Sequence, residues 1–111
     1  MTTAFRDLRI SDGRVTEVVI RAGGVLVRLQ DWQDHLVAVT FDDVIAFEEI
    51  GAIDARLSHA QDSTEDPLIR KASGQANESP EGYRCFSLIS AWTDEPLLKI
   101  VARRAVVADP L

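Results

Sequence analysis

Cysteine is almost absent from this chain of 111 residues, and the single Cys85 has no second thiol with which to close an internal disulfide. Long apolar runs are missing too: even "EVVIRAGGVLVRL" is interrupted by Arg21 and two glycines, well short of the roughly 20 residues a membrane helix needs. The opening "MTTAFRDLRI" lacks both the basic stretch and the apolar core of a secretion signal. These absences predict a reducing, cytoplasmic setting and no membrane segment. Glycine loops of the phosphate-binding kinds are also lacking, because "AGG" has neither their spacing nor a helix after it. No cofactor is therefore expected.

What is present is ordinary for a soluble globular chain: 46% hydrophobic and 27% charged residues. A domain of this length buries roughly 65% of the surface its unfolded chain exposes, so one core and one domain over 1–111 are expected. We find no internal repeat and no domain boundary.

Charge is unevenly spread along the chain, whose net value is -6. Residues 31–66 hold Asp31, Asp34, Asp42, Asp43, Glu48, Glu49, Asp54, Asp62, Glu65 and Asp66 against one base, Arg56. The remainder is slightly basic. If those acids share a face, it would attract basic partners and repel nucleic acid, which also finds no basic stripe interleaved with aromatics here. The plainer reading is a solvated acidic surface that keeps the protein soluble. Arg84, Arg103 and Arg104 read mainly as surface arginines balancing carboxylates, with a small anion patch as the alternative.

Val15–Ile20 and Val25–Gln30 have strand alternation, and the "RAGG" between them supplies the positive backbone angles of a tight hairpin turn. His35–Phe41 alternates as a third strand, joined to the second through Asp31–Asp34. Short acidic side chains commonly cap backbone groups in such a connection, and Trp32 is expected to fold back over a strand face. A metal site at His35 finds no second ligand beside it, since its same-face neighbours are Val37 and Val39. Asp42, Asp43, Glu48 and Glu49 do not approach a calcium-loop spacing either. No metal is expected.

Phe47, Ile50, Ile53 and Leu57 recur at near-helical spacing, which predicts a helix or helical turn over 44–57, although "GAID" also suits the start of a strand. In "DPLIRKASG", Asp66 is a candidate N-cap, Pro67 fits the first helical position and Gly74 a left-handed C-terminal cap. The polar, turn-rich composition around this short helix predicts a long surface excursion over 58–82. "YRCFSLISAW" returns to strand chemistry with two apolar faces: Phe86, Leu88 and Trp92 on one, Tyr83, Cys85, Ile89 and Ala91 on the other. That suits a central strand covered on both sides. Leu97–Val107 is expected to be the last strand, with Arg103 and Arg104 marking a bulge or an edge. The fold class that follows is α+β or mainly β: an antiparallel curved sheet or sandwich of five to six strands with one or two short helices.

Nucleophilic chemistry has little support. Ser58 and His59 are adjacent, but neighbouring side chains in an irregular segment rarely face each other. Cys85 lies in a strand, where a free cysteine behaves as a small buried apolar residue. No catalytic residue is assigned.

"FRDLRI", "FDDV", "CFSLISAW" and "LLKIVA" together resemble a loose group of small bacterial proteins, some regarded as candidate immunity proteins that neutralise toxins. The resemblance spans most of the chain and rests on strand-and-turn patterns. The group has a histidine where this chain has Arg6, before Asp7. What the resemblance implies is binding without turnover, inside a cell, with a protein as partner.

The sequence thus favours a non-catalytic protein-binding module, in its concrete form an immunity-type inhibitor of a basic toxin. The binding residues expected are Asp31, Trp32, Asp34, Asp42, Asp43, Glu48 and Glu49, with Trp32 as the aromatic anchor. Two alternatives stand beside it. One is a self-associating structural domain that forms a homo-oligomer through an edge strand, with the last strand as the candidate edge. The other is a small-molecule-binding or enzymatic domain with a pocket between sheet and helix, using His35, Tyr83 or Arg84.

Overall fold

A computed structural model describes residues 3–108. Along the chain come a 3-10 helix (Phe5–Asp7), β1 (Arg14–Arg21), β2 (Gly24–Gln30), β3 (Leu36–Asp42), β4 (Ala46–Glu49) and β5 (Leu57–Ser63). Then follow α1 (Pro67–Gln75), β6 (Arg84–Ser90), β7 (Pro96–Ala102) and β8 (Arg104–Ala108). The strands build two antiparallel sheets of four, ordered β1-β2-β3-β8 and β4-β7-β6-β5. The sandwich alternative is the one realised, with more strands than the composition suggested.

Alternation fixes which faces meet. Val25, Val27 and Leu29 of β2 stand opposite Phe41, Val39 and Val37 of β3, and all six are buried. From the other sheet come Phe86, Leu88, Leu98 and Ile100. The 3-10 helix lies between β5 and β8, and its Phe5 wedges edge-on against Phe41 and Phe86, with ring centroids 5.7 and 5.2 Å away. On the outer face of the second sheet, α1 brings Ile69 onto Cys85 and Val101. β6 and β7 are therefore covered on both sides, as the two apolar faces of "YRCFSLISAW" require.

The hairpin turn uses one glycine for its conformation: Gly23 has φ 78°, whereas Gly24 is already paired with Asp42 in the strand ladder. The helix is capped as expected at its start, where Asp66 accepts the Leu68 N–H at 2.9 Å and Pro67 needs no donor partner. At its end the left-handed residue is Asn77 (φ 57°), with Gly74 inside the last turn.

Four expectations are corrected. Residues 44–57 hold a short strand, β4, and an irregular connection instead of a helix. Phe47 faces Ile100 across the sheet, while Ile50 and Ile53 point outward from turns, so their helical spacing was coincidental. The excursion over 58–82 is largely structured, because β5 pairs with β6 and α1 follows. β5 reads as polar because it is a sheet edge that buries only Leu57 and Ala60. Leu97–Val107 is not one strand: the chain breaks at Arg103, whose N–H bonds to the Asp42 carbonyl, and β8 joins the other sheet. Trp92 lies beyond the end of β6, in the turn, and packs on neither face.

Candidate functional site

The β2–β3 tip is built by one carboxylate. Oδ1 of Asp31 accepts the N–H groups of Gln33 and His35 at 2.8 and 2.9 Å, and Oδ2 lies 3.2 Å from His35 Nδ1. Backbone bonds from Asp31 N–H to the His35 carbonyl and from Asp34 N–H to the Asp31 carbonyl close the loop. Partial burial works against the charge on Asp31, but these donors together with His35 hold its carboxyl below the usual range. The capping role expected of Asp31 is thus observed. His35 sits before the strand rather than in it, and Trp32, 68% exposed, does not fold back over the sheet.

The other expected binding residues are elsewhere. Asp42 and Asp43 are at the far end of β3, roughly 20 Å away at about 3.3 Å per residue. Asp42 is bridged there by Arg104 at 2.6 Å, and the Asp43 N–H bonds to the Gly23 carbonyl. Glu48 pairs across the second sheet with Lys99, and Glu49 accepts the Ala52 N–H at 2.7 Å. Residues 31–66 do not form a single acidic face. Bases from the rest of the chain reach into them: Arg6 and Arg84 meet Asp62 at 2.8 and 2.5 Å, and Lys99 meets Asp66 at 3.1 Å.

What does converge is a set of turns at the β2–β3 end. Arg14 pairs with Gln30 and also bridges to Arg56, Val15 bridges to Ile53, and the Ala91 N–H bonds to the Arg56 carbonyl. The turns before β1, between β4 and β5, and between β6 and β7 therefore share this pole with the tip. It displays Trp32 and Trp92 (80% exposed), with Ile50 and Ile53 64% and 48% exposed. Asp12, Asp34, Asp54 and Asp94 shape these turns with φ between 59° and 66°, a conformation that aspartate tolerates better than most residues. Their carboxylates, with Asp31 and Glu95, outnumber the nearby Arg9, Arg14 and Arg56. Beside Trp32 runs a groove of about 940 Å³ between the N-terminal segment and the tip. A recess of about 220 Å³ on its other side is lined by Asp12, Arg14, Trp32, Asp54 and Arg56, among others.

Sequence reasoning missed Trp92 and the N-terminal wall of the groove. The signal for Trp92 was the "TDEP" that follows it: the strand ends at Ser90, whose Oγ accepts the Trp92 and Thr93 N–H groups. Nothing local marked the N-terminal segment as a wall.

A β-bulge at Leu57–His59 brings Ser58 Oγ to 3.0 Å from His59 Nδ1, contrary to expectation. No carboxylate orients that ring among the described residues. Ser87 stands opposite Lys99, yet the hydrogen bond from Lys99 to Asp66 raises the ammonium pKa, so this lysine cannot serve as a base at neutral pH. Burial first, then the Asp66 charge, pushes the Cys85 thiol up to about 11. Native protein at pH 8 should therefore react with a thiol reagent only as fast as it unfolds; modification within the mixing time would show Cys85 to be accessible. His35, Tyr83 and Arg84 do not converge on a pocket: Tyr83 donates to Glu78 beneath the Arg103 guanidinium, and Arg84 pairs with Asp62. Among the described residues no helix is long and apolar enough to cross a membrane, and no group of three or more His, Cys, Asp or Glu side chains could hold a metal ion.

Comparison of the chain with protein-family models, with curated proteins and with solved structures finds no match.

Proposed function

We propose that this protein is a non-catalytic binding module that engages a basic protein partner through the pole bearing Trp32 and Trp92. The observation that supports this is the exposure of both indoles at one end of the sandwich, amid carboxylates. Exposed tryptophans ringed by polar groups are the usual composition of interface hot spots, and an acidic surround speeds encounter with a basic surface. Of the residues expected from the sequence, Asp31, Trp32 and Asp34 belong to this interface; Asp42, Asp43, Glu48 and Glu49 do not. The immunity-type inhibitor of a basic toxin is the most concrete form of this reading.

Affinity capture from the organism that makes the protein tests it. The wild type should retain a basic protein that salt releases, and the Trp32→Ser, Trp92→Ser double variant should retain at least about tenfold less, since a hot-spot residue is worth roughly 2 kcal/mol or more. Equal capture by a double variant with native circular dichroism would remove the pole from consideration.

A further inference from the structure

The groove beside Trp32 is walled on one side by Asp7–Ile10, the segment that leaves the 3-10 helix, and on the other by Asp31–Val37, the β2–β3 turn and the first residues of β3. Both walls are fixed before any partner arrives. The first follows directly from Phe5, which is locked between Phe41 and Phe86, and from Arg6, which is tied to Asp62. The second begins in the loop that Asp31 closes with its two backbone hydrogen bonds. Such preformed walls reduce the ordering cost of binding.

The lining is mixed. Leu8, Leu36 and Trp32 offer apolar contact and Asp7 and Asp34 offer carboxylates beside Arg9, while the Asp31 carboxylate is engaged by the loop and by His35. We propose that this groove takes one extended segment of the partner protein, in which basic and apolar side chains alternate. This rests on the reading of the pole as a protein-binding surface, and it names the element recognised. An extended chain sends successive side chains to opposite sides, so one such segment meets the carboxylates with one row and the apolar lining with the other. Trp32 can accept a guanidinium over its ring as well as apolar contact.

The test uses the full chain carrying Trp92→Phe, which leaves Trp32 as the sole indole. The probe is a short end-blocked peptide of alternating arginine and valine, and the readout is Trp32 emission. A saturable change is expected. The Asp7→Asn, Asp34→Asn pair should weaken binding about tenfold, and so should raising salt from about 0.05 M to about 0.5 M. Asparagine at 34 keeps the turn, because it tolerates the same positive φ (66°). A glutamate–valine peptide should leave the emission unchanged.

No saturable change, unaltered affinity in the double asparagine variant, or equal binding of the acidic peptide or of free acetyl-arginine amide would overturn the proposal. If the peptide fails while partner capture still depends on Trp32 and Trp92, the pole remains the interface and the extended segment is wrong. If capture is indifferent to both tryptophans, the two readings fall together.

Discussion

Replacing Phe5 by alanine should lower the unfolding free energy by about 3–5 kcal/mol, the range for emptying a large aromatic site in a packed interior. Phe5 precedes all the strands, yet it is buried and touches one aromatic ring from each sheet, Phe41 at 5.7 Å and Phe86 at 5.2 Å. Those two rings are themselves 5.5 Å apart, so the deletion removes one corner of a triangle that spans the sandwich. Typical stabilities of about 5–15 kcal/mol leave such a variant near its unfolding threshold. Urea denaturation followed by far-ultraviolet circular dichroism measures the change. A loss below about 1 kcal/mol would mean that the site collapses without cost and that the N-terminal segment is ornamental to the core. The groove should respond as well, because Asp7–Ile10 is positioned through Phe5.

Gly13→Ala is the second large effect, and its cause is space rather than backbone freedom. A Cβ at this position would sit 2.7 Å from the Gln30 carbonyl oxygen, 2.9 Å from that of Ile10 and 3.2 Å from the Asp31 Cα. All three are backbone atoms, so no side chain can swing aside. Relief requires the segment entering β1 to move away from the end of β2, and overpacking of this kind costs about 1–3 kcal/mol, occasionally more. For a domain of this size each kcal/mol corresponds to about 4–8 °C, so the melting temperature should fall by roughly 5–20 °C. Unchanged melting would show that the two segments separate freely. The displaced atoms adjoin Asp31, so the same variant should also loosen the Trp32 tip and slow partner association.

Much of the fold was legible because local signals agreed with it. The β1–β2 hairpin shows itself through alternation and a glycine that needs φ 78°, α1 through Asp66 and Pro67, and β6 through apolar residues on both faces. Where reading failed, the deciding partner lay far away in sequence. β5 has the composition of a loop because an edge strand leaves most of its side chains in water. β4 is too short to establish a period of two, so outward-facing Ile50 and Ile53 counterfeited a helical one. In "LLKIVARRAVV" the paired arginines mark an irregularity, read as a bulge or an edge, but nothing in the stretch shows that the neighbouring strand changes from β6 to β3. The same holds for charge: the acids of 31–66 look unopposed along the chain, but Arg6, Arg84, Lys99 and Arg104 come from outside the interval. At the site, the aspartates of tight turns were readable one by one. Their meeting at one pole depends on strand order, which no single turn encodes.

The exchange of sheets at Arg103 also sets an order of events during synthesis. β3 completes its pairing only with β8, and the Asp42–Arg104 contact joins residues 62 positions apart. At roughly 5–20 residues per second, the ribosome needs about 3–12 s to make the intervening chain. Throughout that interval β1, β2 and β3 can form a meander, but the outer edge of β3 offers its unpaired N–H and C=O groups to any neighbouring strand. The nascent chain is thus most prone to association before its last strand emerges, and a ribosome stalled between β7 and β8 leaves that edge open.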